Sequence, residues 1–204
     1  VQNIVVTLTT TDGGPGTATL ATALTVNVTD AGGGTATGAG TDYAALGTQT
    51  LTFAIGSGNA ATQNATITPT NDTLVEGNET VNVTLGALSS TLDGQASLGT
   101  TAGVVTIDDN DTASFSVAAA TTVTEQGGVQ NIVVTLTTTD GGVGTATLAT
   151  ALTVNVTDAG GGTATGAGTD YAALGTQTLT FAGGSGNAAT QSATITPTND
   201  TLVE

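Results

Sequence analysis

The stretch VQNIVVTLTTTDGG occupies Val1–Gly14, and the same letters recur at Val129–Gly142. It is rich in β-branched residues, and apolar residues occupy alternate positions before an Asp-Gly-Gly turn. This alternation predicts a β-strand with one side facing a core, followed by a tight turn. Its recurrence predicts that the strand belongs to a repeated domain.

The repeat extends far beyond this stretch. Residues 1–76 match residues 129–204 with three differences, which are Pro15 against Val143, Ile55 against Gly183, and Asn64 against Ser192. The offset between the copies is 128 residues, which is the size of one domain. The 204 residues therefore hold about one and a half copies of one unit.

The domain organisation follows from this offset. We predict a first repeat at residues 1–111 that lacks its first strand, and a second at residues 112–204 that lacks its last strands. Because the chain ends do not coincide with the repeat ends, we expect a window from a longer array. The alternative is a short subunit with incomplete domains, whose open sheet edges would pair with neighbours.

Strand signals dominate each repeat. They are short, rich in Val, Ile and Thr, and separated by turns rich in Gly and Asp. The segments are VQNIVVTLTT, LTVNVT, QTLTF, NATITPT, ETVNVTLG, AGVVTI and ASFSV. No stretch has a helical period of useful length. The sequence therefore predicts an all-β fold without helices, built of antiparallel β-sandwiches in tandem.

The composition excludes several functions. The chain has no Lys, Arg, His, Cys, Met or Trp, and its 16 acids give a formal net charge of −16. Because Lys and Arg supply most phosphate contacts, we expect no nucleic-acid partner. Without His, Lys, Cys or Arg the chain has no Ser-His or Cys-His nucleophile and no Schiff-base lysine, which leaves only carboxylates, hydroxyls and amides, so we expect no enzyme. No apolar run approaches the roughly 18 residues that cross a bilayer, so no membrane insertion is expected in this segment.

Many of the acids are clustered. Asp72, Glu76 and Glu79 fall within NDTLVEGNET, and Asp108, Asp109 and Asp111 fall within VTIDDND. Like charges gathered at turns destabilise the compact state unless a cation binds them. Oxygen ligands without imidazole or thiolate select Ca²⁺. The sequence therefore predicts calcium binding, and the alternative is a solvated acidic face.

Four segments together resemble one known family. They are GTATGAGTDY (Gly34–Tyr43), LTF (Leu51–Phe53), NDTLVEGNETVNVTLG (Asn71–Gly86) and VTIDDND (Val105–Asp111), and in this order they resemble the Calx-β domain. TVTEQGG (Thr122–Gly128) looks like the first strand of that domain. The resemblance covers essentially the whole repeat. It implies an immunoglobulin-like β-sandwich with Ca²⁺ ions in the loops at one end, as in the regulatory domains of sodium–calcium exchangers and in long bacterial surface proteins.

The resemblance also implies a set of calcium ligands. In the first copy these are Asp42, Asp72, Glu76, Glu79, Asp109 and Asp111, with Asp108 beside them in the closing acidic run. In the second copy they are Glu125, Asp170, Asp200 and Glu204. The sequence departs from the family pattern at Asn71 and Asn110, where acids are common, and this lowers the charge of the ligand set.

The remaining distinctive residues have structural interpretations. Asp12, Asp30, Asp93, Asp140 and Asp158 are predicted turn residues whose side chains bond nearby backbone. Tyr43 and Tyr171 are predicted packing anchors, and the three Phe residues are predicted core. Glycans are candidate partners at eight Asn-x-Ser/Thr sequences, which begin at Asn27, Asn64, Asn71, Asn78, Asn82, Asn110, Asn155 and Asn199.

The leading function is structural. We expect an extracellular, Ca²⁺-stiffened rod or filament on a prokaryotic cell surface, in which the partners are copies of the same repeat. Only Thr112 separates VTIDDND from ASFSV, so no flexible linker lies at this junction. The alternatives are an adhesin module that binds sugar or protein, a Ca²⁺ sensor and a carboxylate hydrolase. The low aromatic content of 2% disfavours the adhesin, and near-identical repeats disfavour the sensor.

Overall fold

The computed structural model describes residues 1–118, 121–142 and 144–201, and in it the chain forms two compact units. Unit one comprises Val1–Asp72 and Gly77–Asp109, and unit two comprises Thr73–Glu76 and Asn110–Glu204. Sequence pattern alone assigned the short segment Thr73–Glu76 to the first repeat. In the structure this segment packs with the second unit.

The described residues are all-β apart from two single 3₁₀ turns at Leu92–Gly94 and Glu125–Gly127. The strands are β1 (Gln2–Thr7), β2 (Leu24–Asp30), β3 (Gln49–Phe53), β4 (Thr62–Ile67), β5 (Leu74–Val75), β6 (Glu79–Gly86), β7 (Ala102–Ile107), β8 (Thr112–Val117), β9 (Gln130–Thr139), β10 (Thr147–Leu148), β11 (Leu152–Val156), β12 (Gln177–Phe181) and β13 (Thr190–Ile195).

Unit one has two antiparallel sheets that share one core. β1 pairs with β4, and the second sheet has the order β3-β2-β6-β7. In β2 every second residue is buried, namely Leu24, Val26 and Val28. Side chains of both sheets meet in the same cluster, to which β4 contributes Ala65 and Ile67. The period-2 pattern of Val and Thr therefore produces a β-sandwich, as predicted.

Unit two has a three-stranded antiparallel sheet in the order β13-β9-β8 and an antiparallel pair β11-β12. Its core contains Leu136, Leu179 and Phe181. The Phe115 and Phe181 rings pack with centroids 4.9 Å apart. β5 pairs in parallel with β10, which makes Thr73–Glu76 an integral part of this unit.

Seven predicted strand segments are found as strands, but one further expectation is wrong. Thr122–Gly128, expected to be the first strand of the second repeat, contains the 3₁₀ turn at Glu125–Gly127. The extended backbone ends at Thr124, where this turn begins, and Gly128 after the turn has a φ of 63°, which favours glycine. β8 is the strand that precedes β9 instead, and its sequence ASFSV carries the alternation that TVTEQGG lacks.

Candidate metal site

The loop that begins at Gly34 lies directly against the start of β6. The Ala36 N–H donates to the Thr80 carbonyl at 3.0 Å, and the Thr80 N–H donates to the Thr35 hydroxyl at 2.8 Å. Glycine is required for this approach, because a Cβ on Gly34 would lie 2.2 Å from the Thr80 carbonyl oxygen. These contacts hold the loop beside Glu79, the first residue of β6.

Asp42 follows in the same loop and is held rigidly. Its Oδ2 accepts the Thr37 N–H at 2.5 Å, and its own N–H donates to the Thr37 carbonyl at 2.9 Å. Its carbonyl accepts the Thr70 N–H at 2.9 Å. The residue is only 8% exposed, which is unusual for an aspartate in a chain that has no Lys or Arg.

Three carboxylates come together here. One oxygen from each of Asp42, Glu76 and Glu79 lies within 4.8 Å of the others. Oxygens bound to a common Ca²⁺ at about 2.4 Å lie at most about 5 Å apart, so the spacing fits a calcium ion. The donors are all hard oxygens, which also fits Ca²⁺ rather than zinc or copper. In the part of the chain that the structure describes, no second group of three acids meets this spacing.

The family model for the Calx-beta domain matches residues 2–111 and again residues 107–204. The chain belongs to the Calx-β family. The tandem arrangement predicted from the repeats is thereby confirmed. No curated protein sequence matches the chain.

None of the helices among the described residues is long and apolar enough to cross a membrane.

Two solved structures match most of the length of the chain, at TM-scores below 0.5. One is the crystal structure of CBD12 from CALX1.2, with 18% identity and a TM-score of 0.39, covering 96% of this chain and 68% of that one. Another is the calcium binding domain CBD12 of CALX1.1, with 19% identity and a TM-score of 0.38, covering 97% of this chain and 70% of that one.

The other predicted ligands of the first Calx-β repeat lie outside the three-acid group. Asp108 accepts the Asn78 side-chain amide at 2.7 Å, and the Asp109 N–H donates to the Asn78 side-chain oxygen at 3.2 Å. Asn78 therefore ties the closing acidic run to the start of β6. Asp72 is half-buried. Asp111 is 6% exposed and belongs to unit two, where its Oδ1 accepts the Gly141 N–H at 2.9 Å.

The second Calx-β repeat reproduces part of the same geometry. Asp170 Oδ2 accepts the Thr165 N–H at 2.5 Å, as Asp42 does from Thr37. Asp200 is half-buried. Glu125 is exposed on a 3₁₀ turn, so the expectation that it belongs to a strand is wrong. Glu204 lies outside the described residues.

Most of the predicted turn acids do bond nearby backbone. An Oδ1 accepts the N–H of the residue two positions later at Asp12 (3.1 Å), Asp30 (2.7 Å), Asp140 (2.6 Å) and Asp158 (2.7 Å). Asp93 has a left-handed backbone inside the 3₁₀ turn, with φ of 56°. These short loops are the Asx turns that the Asp-x-Gly spacing predicts.

Sequence reasoning missed a second role of Asp30. Its Oδ2 accepts the buried Tyr43 hydroxyl at 2.5 Å, and Asp158 accepts the Tyr171 hydroxyl in the same way. The hydrogen bond from Tyr43 lowers the pKa of Asp30, and the same bond, burial and the nearby carboxylates raise the pKa of Tyr43 to about 12. The sequence signal for this hydrogen bond is the spacing of 13 residues between Asp and Tyr, which is present in both copies.

This pair predicts an alkaline loss of stability. Tyr43 has a folded pKa raised above its ordinary value of 10.0, so it stabilises the fold below pH 10 and loses that contribution as the pH rises towards 12. We expect Tyr43→Phe to reduce the fall in melting temperature between pH 9 and pH 12, and Tyr43→Phe/Tyr171→Phe to reduce it further. Melting curves that fall equally steeply in all three proteins would contradict the role of the pair.

Proposed function

We propose that this Calx-β chain is a calcium-binding segment of an extracellular structural array. The observation that carries the proposal is the group of Asp42, Glu76 and Glu79 in a chain without a single Lys, Arg or His. The protein has no side chain of its own that could neutralise these carboxylates. A bound divalent cation would supply the missing charge.

The electrostatic magnitude supports this assignment. Two carboxylates 4.8 Å apart repel by roughly 1 to 3 kcal/mol, depending on whether the local dielectric resembles water or a protein surface. Three such pairs meet in the group, and the fold holds Asp42 there through three backbone contacts. This repulsion is a large fraction of the 5–15 kcal/mol that stabilises a typical domain. A calcium ion converts it into attraction.

The same proposal extends to the other predicted ligands. Asp72, Asp108, Asp109 and Asp111 would serve further ions in the first repeat, and Glu125, Asp170, Asp200 and Glu204 would serve the second and its continuation. Asn78 positions the closing acidic run for this purpose through its bonds to Asp108 and Asp109. When bound, Ca²⁺ supplies charge neutralisation and a rigid link between chain segments that are distant in sequence.

We propose further that calcium stiffens successive repeats into a rod on a cell surface. The sequence supports this, because a single residue, Thr112, separates the last acid of one repeat from ASFSV of the next. Extracellular fluids contain Ca²⁺ at about the millimolar level, and extracellular modules bind it with dissociation constants of about 10⁻⁴ to 10⁻³ M. A site with a dissociation constant of about 10⁻⁴ M would be largely filled outside a cell.

Thermal unfolding with and without calcium tests the proposal. For a dissociation constant of about 10⁻⁴ M, 10 mM Ca²⁺ adds roughly 2.7 kcal/mol relative to chelator, which raises the melting temperature by about 10 °C or more. Asp42→Asn is expected to remove much of this increase. Asp93→Asn is the matched control, because it removes the same charge from an exposed turn and should leave the calcium response intact.

Two results would contradict the calcium site. One is an equal melting temperature of the wild type in Ca²⁺ and in chelator, and the other is an equal calcium response of Asp42→Asn and Asp93→Asn. The rod is tested separately by small-angle scattering of the chain. We expect a longer maximum dimension and a narrower distance distribution in Ca²⁺ than in chelator, and identical curves would contradict the stiffening.

A further inference from the structure

The turn that follows β9 contains a buried carboxylate oxygen. Asp140 as a residue is half-buried, but its Oδ2 atom is completely buried. Its Oδ1 accepts the Gly142 N–H at 2.6 Å, whereas among the described residues no hydrogen-bond partner is found for Oδ2. A buried carboxylate oxygen without a partner is costly, because it has lost its water and gained no donor in exchange. The chain has no Lys, Arg or His that could serve as that partner.

A second aspartate is held against the same turn. Asp111 is 6% exposed, and its Oδ1 accepts the N–H of Gly141, the residue after Asp140, at 2.9 Å. The Asn110 carbonyl oxygen also lies here, 2.6 Å from a Cβ built on Gly141. All of these residues belong to unit two. Two carboxylates and a carbonyl therefore gather at the turn, and hard oxygens of this kind are the ligands that Ca²⁺ prefers.

Glycine at position 144 allows the turn to close around the Asp140 carboxylate. A Cβ on Gly144 would lie 2.5 Å from Asp140 Oδ2 and 2.6 Å from Thr73 Cγ2. Thr73 directly precedes β5, so the buried oxygen lies near the start of that strand. The equivalent turn of the first repeat contains Asp12, whose Oδ1 accepts the Gly14 N–H in the same way. Asp12 is exposed, so its carboxylate is open to solvent.

We propose that Asp140 and Asp111 bind a calcium ion at this turn of unit two, in addition to the ion at Asp42, Glu76 and Glu79. The inference deepens the proposed function, because it rests on calcium binding by the chain and adds Asp140, a ligand outside the predicted set. Asp140 Oδ2 and the Asp111 carboxylate would be protein ligands. Water would complete the coordination by about six to eight oxygens.

The number of bound ions tests the proposal. Equilibrium dialysis against radioactive calcium chloride measures calcium ions per chain. Asp140→Asn keeps Oδ1 as an acceptor for the Gly142 N–H but replaces the charged Oδ2 by an amide, and we expect it to bind one ion fewer than the wild type. Asp12→Asn makes the same change in the equivalent exposed turn, so we expect it to keep the number of ions that the wild type binds.

Thermal unfolding adds a readout that a purely structural role of the turn would move differently. In chelator the wild type carries the partnerless buried oxygen, so Asp140→Asn is expected to raise the melting temperature by a few degrees. In saturating calcium chloride this advantage should disappear, because only the wild type gains the ion. Weakening of the Asx turn alone would lower the melting temperature of the variant in both solutions.

Gly144→Ala is a second variant, which leaves both carboxylates in place. Its new Cβ would displace Asp140 Oδ2, and we expect the affinity for this ion to fall roughly tenfold or more, as it does when the residues that orient a ligand are changed. Gly16→Ala is the matched control, because Asp12 is exposed and can move away from the new methyl group.

The outcomes distinguish this site from the group of three acids. If Asp140→Asn folds by circular dichroism and binds as many ions as the wild type, the proposal is overturned. If that result accompanies the loss of an ion in Asp42→Asn, the group of three acids stands and only the site at Asp140 fails. Loss of an ion in Asp140→Asn with an unchanged count in Asp42→Asn would support the site at Asp140 and contradict the group of three acids.

Discussion

Phe181→Ala is expected to destabilise unit two by about 3–5 kcal/mol, the usual cost of deleting a buried aromatic ring. Phe181 is 1% exposed and is the largest fully buried side chain of the described residues. It packs against Phe115 with the planes inclined at 49°. The rest of the core of this unit is small and mainly aliphatic. The chain has no cysteine for a disulfide and no tryptophan, so neither can offset the loss of the Phe181 ring. Such a loss is comparable with the whole stability of a modest domain.

Phe53→Ala in unit one is the matched variant. Phe53 occupies the same position of the repeat and is 5% exposed. Hydrogen exchange followed by mass spectrometry measures each unit separately. We expect Phe181→Ala to reduce protection in β9 and β13 while β2 and β6 keep theirs, and Phe53→Ala to do the reverse. Unchanged protection of β9 in Phe181→Ala would contradict the assignment of Phe181 to the core.

Gly34→Ala is expected to destabilise unit one by about 2–3 kcal/mol and to weaken calcium binding, because overpacking against backbone forces a shift of the main chain. The new Cβ would lie 2.2 Å from the Thr80 carbonyl oxygen and 3.1 Å from the Val81 Cα. Moving the loop away from β6 also separates Asp42 from Glu79. We expect a lower melting temperature and a smaller calcium response.

The chain contains its own control for this variant. Gly162 is the equivalent of Gly34 in the second repeat, and among the described residues no atom lies within 4 Å of a Cβ built there. Gly162→Ala should therefore leave melting and calcium response close to those of the wild type. Equal destabilisation by the two variants would contradict the collision with Thr80 as the cause.

Sequence pattern predicted the long strands because their burial is periodic. LTVNVT buries Leu24, Val26 and Val28, which are the alternate residues on its core-facing side. It did not predict β5 and β10, since a strand of two residues is too short to show a period. The strand expected at Thr122–Gly128 came from the resemblance to the Calx-β domain, although two consecutive glycines there favour a turn.

The candidate site was predictable in part. The sequence identified Asp42, Glu76 and Glu79 as candidates, and the structure brings these three together. It did not indicate Asn78, which holds the closing acidic run through its amide, or Gly34, whose missing side chain allows the loop to reach β6. Asn78 acts through side-chain hydrogen bonds and Gly34 through a close approach to backbone, each between segments about 30 to 45 residues apart, and such contacts leave no local pattern in a sequence.

The assignment of Thr73–Glu76 to unit two has a genetic consequence. The repeat period of the sequence and the boundary of the folded unit are out of phase, because unit two includes Thr73–Glu76, which belong to the preceding repeat. Recombination between misaligned copies can add or delete whole 128-residue periods without separating any β5 sequence from the β10 sequence that follows it. A crossover that shifted the repeats by any other length would leave one folded unit without its β5 strand. Selection would therefore preserve the length of the repeat.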